Sequence, residues 1–175
     1  LVVHGGGWSG GGKGRSAPVS TALARAGIVA VNVGYTLAAP GFAGYPRQPA
    51  ELRAAVRWIR RNARRFGIDA GRIGAFGSSA GGHLAALLAT RGQGSSRAGS
   101  RVAAVATWSA PLDLEPLAAH RLLGQAATKL LGCTLASCPN RWRDASPLTH
   151  VTPDDPPFLL FNSAREMVPA AQAER

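Results

Sequence analysis

Ser79 is the residue whose setting most suggests covalent chemistry. It stands in Gly77-Ser78-Ser79-Ala80-Gly81, a G-x-S-x-G pattern, with a β-type run (Ile73 to Phe76) before it and an Ala/Leu-rich helical run after it. Between a strand and a helix, this pattern demands a turn so sharp that the serine backbone is strained and its hydroxyl sits at the tip. Gly77 and Gly81 lack a Cβ, so neighbouring chain can pass close on both sides. The helix that starts there directs its first amides, and the positive end of its dipole, at an oxygen the serine would attack. Such a hydroxyl is a nucleophile for a carbonyl carbon. The plainer reading of the same residues is a glycine turn before a buried helix, and the strand–turn–helix context favours the nucleophile.

A second glycine-rich stretch, His4-Gly5-Gly6-Gly7-Trp8 and the run to Gly14, follows the apolar segment Leu1 to Val3. Gly5-x-Gly7-x-x-Gly10 has dinucleotide-binding spacing, but the next strand ends Asn32-Val33-Gly34, without the acid that would hold a ribose. Gly7 to Lys13 has the outline of a phosphate loop, but Gly14 stands where a Ser or Thr must hold magnesium. The remaining reading is a loop whose unshielded amides face a substrate oxygen, and it alone also accounts for Ser79.

Composition sets outer limits. The 175 residues suit one domain with a real core. No apolar run approaches the ~20 residues that cross a bilayer. The net charge is +11, nearly all from arginine, since Lys13 and Lys129 are the only lysines. Such a balance permits binding to nucleic acid or an anionic surface. The arginines are scattered, however, and the densest group (Arg53, Arg57, Arg60, Arg61, Arg64, Arg65) fits the solvated face of one helix. No nucleic-acid motif accompanies them, so no nucleic-acid partner is expected. Cys133 and Cys138 have no further ligands grouped with them, which argues against zinc. A small disulfide loop or two buried thiols both fit. The compartment stays open between cytoplasmic and secreted, and a disulfide would favour the latter.

The elements that must position these residues alternate in type. Helices are expected over Pro18 to Ala26, Ala50 to Phe66 and Ser79 to Thr90. In the second, Leu52, Val56, Ile59 and Ala63 form one stripe with arginines opposite. Strands are expected at Leu1 to Val3, Ile28 to Val33, Arg72 to Phe76, Val102 to Trp108 and Phe158 to Phe161. Pro111 to Leu131 reads as a loop with one helical piece, Gly132 to Pro157 as irregular, and a helix begins near Pro169. The alternation implies an α/β fold with a parallel sheet.

Taken together, these residues resemble the α/β-hydrolase fold in its esterase/lipase branch, and most closely the hormone-sensitive-lipase-like and feruloyl-esterase-like carboxylesterases. The resemblance rests on H-G-G-G-W at 4–8, G-Y-T-L-A at 34–38, A-V-R-W-I-R-R-N-A at 55–63, F-G-I-D at 66–69 and G-S-S-A-G-G-H-L-A at 77–85. A-S-P-L at 145–148, D-D-P-P-F-L-L-F at 154–161 and M-V-P at 167–169 continue it. It implies a three-layer fold: a mostly parallel sheet of about five strands, with helices on both faces. It also implies a mechanism. Ser79 attacks an ester carbonyl and forms an acyl-enzyme that water hydrolyses. The amides of Gly5, Gly6 and Ala80 hold the oxyanion, each worth on the order of 3 kcal/mol. His4 shapes the loop, Trp8 packs behind it, and a small-molecule ester is the substrate. No metal or organic cofactor is implied.

The chain departs from that pattern in two places. The acid expected just before the M-V-P-like segment is replaced by Arg165. Glu166, one residue late, is the first alternative, and Asp113, after the Val102 to Trp108 strand, is the second. In this fold the histidine follows the acid, and its expected place lies beyond Arg175. His4, His83, His120 and His150 read as loop, packing or surface residues. Residues 1–175 are therefore expected to be one partial domain, missing N-terminal strands and a His-bearing C-terminal segment, with exposed sheet edges prone to pairing. By itself it is expected to have little or no activity. A degenerate, non-catalytic binding module is the alternative. Peptide cleavage and acyl transfer use the same machinery.

Overall fold

Five short strands lie side by side in the order β2-β1-β3-β4-β5, and every neighbouring pair is parallel. They are β1 (Val2–Val3), β2 (Asn32–Val33), β3 (Gly74–Ser78), β4 (Ala104–Trp108) and β5 (Phe158–Phe161). Parallel neighbours need crossovers, and the helices α1 (Ala17–Arg25), α2 (Arg47–Arg61), α3 (Ala80–Thr90), α4 (Arg121–Leu131) and α5 (Pro139–Asp144) fall between the strands. This computed structural model describes residues 1–174.

The order of the strands decides where a ligand can sit. From β1 the chain crosses to β2 on one side, then returns to lay β3 on the other side of β1. Loops leaving β1 and β3 thus diverge and open a crevice at the C-terminal ends of the strands, the usual ligand position in an open α/β sheet. The glycine loop leaves β1 there and Ser79 leaves β3 there.

The core is built around α3. Every residue from Ala80 to Ala89 is buried, as befits a helix apolar on all sides. It packs on β3 and β4 and against α2. Leu52, Val56, Ile59 and Ala63 are all buried, so the expected stripe is the observed one, each large side chain contributing about 2 kcal/mol by leaving water. Ala75, Val105 and Thr107 face this layer. The other face of the sheet, with Phe76, Ala104 and Ala106, and Leu23 of α1 at its margin, borders an apolar hollow of about 410 Å³. Leu159 and Phe161 of the edge strand β5 are about half exposed, at 55% and 47%.

Several boundaries differ from expectation. β2 is two residues long, because β1 offers partners only for Asn32 and Val33, and Ile28 and Val29 are exposed. α2 starts earlier and ends at Arg61, giving way to a 3-10 turn over Ala63–Phe66 that Gly67 stops at φ 64°. The segment from Gly132 to Pro157, expected to be irregular, holds α5, whose Trp142 is fully buried. The helix expected near Pro169 is a single 3-10 turn, Ala170–Gln172. Arg60 is not merely solvated: its guanidinium donates to the carbonyls of Ala70, Ser96, Gly99 and Arg101 and ties the 91–101 loop to α2. Cys133 and Cys138 form a disulfide. No helix among the described residues is long and apolar enough to cross a membrane.

Candidate active site

Ser79 caps the N-terminus of α3 with φ 52° and ψ −125°, a strained conformation for a residue with a Cβ. Two backbone bonds hold it there. Its N–H donates to the Trp108 carbonyl of the neighbouring strand at 2.8 Å, and its carbonyl accepts the His83 N–H at 3.0 Å. The side chain makes no capping bond. The close approach is purchased with glycine: a Cβ on Gly81 would lie 2.3 Å from the Val3 carbonyl oxygen, far inside contact distance.

The glycine loop reaches the same place from β1. A Cβ on Gly5 would fall 2.9 Å from the Ser78 carbonyl oxygen and 3.3 Å from Ser79 Cβ. Gly5 and Gly6 line a hollow of about 290 Å³ with His4, Arg15, Val19, Phe76 and Ser78. Ser79 lines a second hollow of about 370 Å³, which shares Val19, Phe76 and Ser78 with the first. Among the described residues the amides of Gly5, Gly6 and Ala80 have no protein acceptor. Free amides beside a half-buried serine that lines the hollow can receive a negative oxygen.

Four buried side chains brace this loop. The His4 ring stacks on Tyr35 at 4.3 Å, and its Nδ1 lies 2.8 Å from the Gly5 carbonyl oxygen. The Tyr35 hydroxyl donates to the His4 carbonyl. Trp8, 1% exposed, packs behind the loop as expected, and its Nε1 donates to His83 Nδ1. Gln48, fully buried on α2, donates from Nε2 to the carbonyls of Trp8 and Thr36. No motif in the sequence marks Gln48. A glutamine directly before Pro49, four residues ahead of the first stripe residue Leu52, is a faint signal, visible only once the loop carbonyls need a donor.

Of the acid candidates, Glu166 is brought to the Ser79 hollow and Asp113 is not. Glu166 lines that hollow with Ser79, Trp108 and Ser109. Its Oε2 accepts from the Ser109 hydroxyl and its Oε1 from the Ser163 amide. These bonds, the Ser109 hydroxyl first, hold its carboxyl below the ordinary glutamate range. Asp113 lies on the turn after β4, where its amide and that of Leu112 are capped by Gln172 Oε1. Arg165 is exposed on the turn before Glu166. Ser109 belongs to no motif either, and its only signal is its place directly after β4 at the ligand-bearing end of the sheet.

No imidazole among the described residues lines the Ser79 hollow. Both ring nitrogens of His83 are engaged, Nδ1 by Trp8 and Nε2 by the Ala145 carbonyl. His120 caps α4, and the Nε2 of His150 lies 2.8 Å from the Asp144 carbonyl. No group of metal-ligating side chains occurs among the described residues.

Comparison with known proteins gives the fold and the family. The chain is 29% identical to Esterase LipC of Mycobacterium tuberculosis over 185 residues, covering 99% of this chain and 45% of LipC. It thus spans less than half the length of this relative. It superposes with a TM-score of 0.86 on a truncated carbohydrate esterase from gut microbiota, at 25% identity, covering 99% of this chain and 69% of that one. An acetyl ester-xyloside bifunctional hydrolase from Caldicellulosiruptor lactoaceticus gives a TM-score of 0.85 at 26% identity, with coverage of 99% and 64%. All 175 residues match one protein family from end to end, and the chain, an α/β-hydrolase by fold, belongs to that family, BD-FAE.

Proposed function

We propose that this chain carries the nucleophile and oxyanion site of a serine carboxylic ester hydrolase. The observation that carries the reading is the strained, unpaired Ser79 at the crevice between β1 and β3, beside the free amides of Gly5 and Gly6. The Ser79 hydroxyl adds to an ester carbonyl, and the amides of Gly5, Gly6 and Ala80 take the oxyanion. The alcohol leaves, and water releases the acyl group. Glu166 is the acid. The base in this reading is an imidazole from outside the described residues, so residues 1–175 form a partial catalytic domain with little activity of their own. Two structural relatives are named for esters of sugars, which makes short acyl esters of carbohydrates the first substrates to try. The Cys133–Cys138 disulfide favours an oxidising compartment.

The second reading, a binding module without turnover, has its own support. Arg165 occupies the expected acid position and no imidazole lines the Ser79 hollow. Loss of a triad base costs on the order of 10⁶ in turnover. Hydrolysis of p-nitrophenyl acetate with added imidazole separates the two. Rate above the protein-free imidazole blank that disappears in Ser79→Ala supports the hydrolase. A wild-type rate equal to that of Ser79→Ala supports the binding module.

A further inference from the structure

Ser109 is one of three non-glycine residues with positive φ among the described residues, at φ 52°. A side chain in that conformation is strained, and a glycine there would avoid the strain. The hydroxyl is what glycine lacks. Ser109 is 7% exposed, and its hydroxyl donates to Glu166 Oε2 in the hollow that Ser79 lines. The Ser109 amide donates to the Phe161 carbonyl at 2.8 Å. The bend is thereby fixed to β5, the strand from which the Glu166 turn departs. From the other side the Ser163 amide holds Glu166 Oε1, and Val168, 2% exposed, anchors the end of the turn.

We propose that Ser109 is the positioning residue that, with the Ser163 amide, fixes Glu166 as the carboxylate facing Ser79. The proposal rests on the nucleophile reading of Ser79. It also explains how an acid one residue late can serve. Glutamate has one methylene more than aspartate, and the strained Ser109 meets the carboxylate of the exposed Glu166 at the rim of the hollow. Each carboxylate oxygen keeps a lone pair beyond the bond it already accepts, which leaves room for an imidazole N–H.

The test follows the Glu166 carboxyl by NMR titration in the whole chain, in wild type, Ser109→Gly and Ser109→Ala. Ser109→Gly removes the hydroxyl and relieves the backbone together, so it keeps the test sound if Ser109→Ala fails to fold. The wild-type midpoint is expected below the ordinary glutamate range, and in Ser109→Gly it moves up toward that range while thermal stability is kept or raised. In parallel, imidazole-assisted labelling of Ser79 by a fluorophosphonate should slow about tenfold in Ser109→Gly, the effect of one lost hydrogen bond to a charged group. An unmoved Glu166 midpoint overturns the proposal whatever Ser79 does. A midpoint that rises while wild-type Ser79 takes no label leaves Ser109 as the holder of Glu166, overturns the part that links them to Ser79, and points to the nucleophile reading as the failure.

Discussion

The Trp8 indole donates to His83 Nδ1 at 3.0 Å, with the two rings edge to face at 5.1 Å. One residue ends the glycine loop and the other lies one turn into the helix that begins at Ser79. The bond therefore ties the two halves of the proposed site through the core. It also fixes the imidazole: Nδ1 accepts, so Nε2 must carry the hydrogen it donates to the Ala145 carbonyl at 2.8 Å.

That arrangement has a pH signature. Burial pushes the His83 pKa down to about 4, against the opposing pull of the Ala145 carbonyl. In the unfolded chain the ring takes a proton below about 6.5, whereas in the fold it stays neutral to about 4. Between those values the unfolded state binds more protons, so the contribution of His83 is whole above 6.5 and is lost as pH falls toward 4. Its full size is on the order of 3 kcal/mol. Urea denaturation of wild type and His83→Gln should show a gap that narrows between pH 7 and pH 4.5. A gap that keeps its width would show that the ring is not held neutral.

Gly5 sits where a side chain has no room toward Ser79. Its Cβ would press on the Ser78 carbonyl oxygen at 2.9 Å, in rigid backbone. Gly5→Ala should push the loop off Ser79 and cut the labelling rate of Ser79 by roughly 10²-fold, as loss of an oxyanion donor does, at a stability cost of about 1–3 kcal/mol. Gly12 has no heavy atom within 4 Å of its would-be Cβ, and Gly12→Ala serves as the control that leaves both unchanged. Equal labelling of the Gly5→Ala variant and wild type would remove the loop amides from the account.

Much of this was legible in the sequence because it depends on local patterns. The G-x-S-x-G turn, the H-G-G-G-W loop and the apolar stripe of α2 each declare their geometry over a few residues. The strand order then brings the first two together. Gln48 and Ser109 were not legible, since each acts on a partner distant in the chain. Gln48 meets the Trp8 carbonyl 40 residues away, and Ser109 meets Glu166 57 residues away. Arg60 read as a solvated charge because nothing local shows the four carbonyls it gathers. β2 was over-extended because apolar residues from Ile28 onward look like strand whether or not a partner lies alongside.

The most direct measurement is to treat wild type and Ser79→Ala with a fluorophosphonate in the presence of imidazole and to locate the adduct by peptide mass spectrometry. The account predicts one adduct, on Ser79, forming faster as imidazole is raised and absent from the variant. An unlabelled Ser79 at saturating imidazole, or the same labelling in Ser79→Ala, would contradict it.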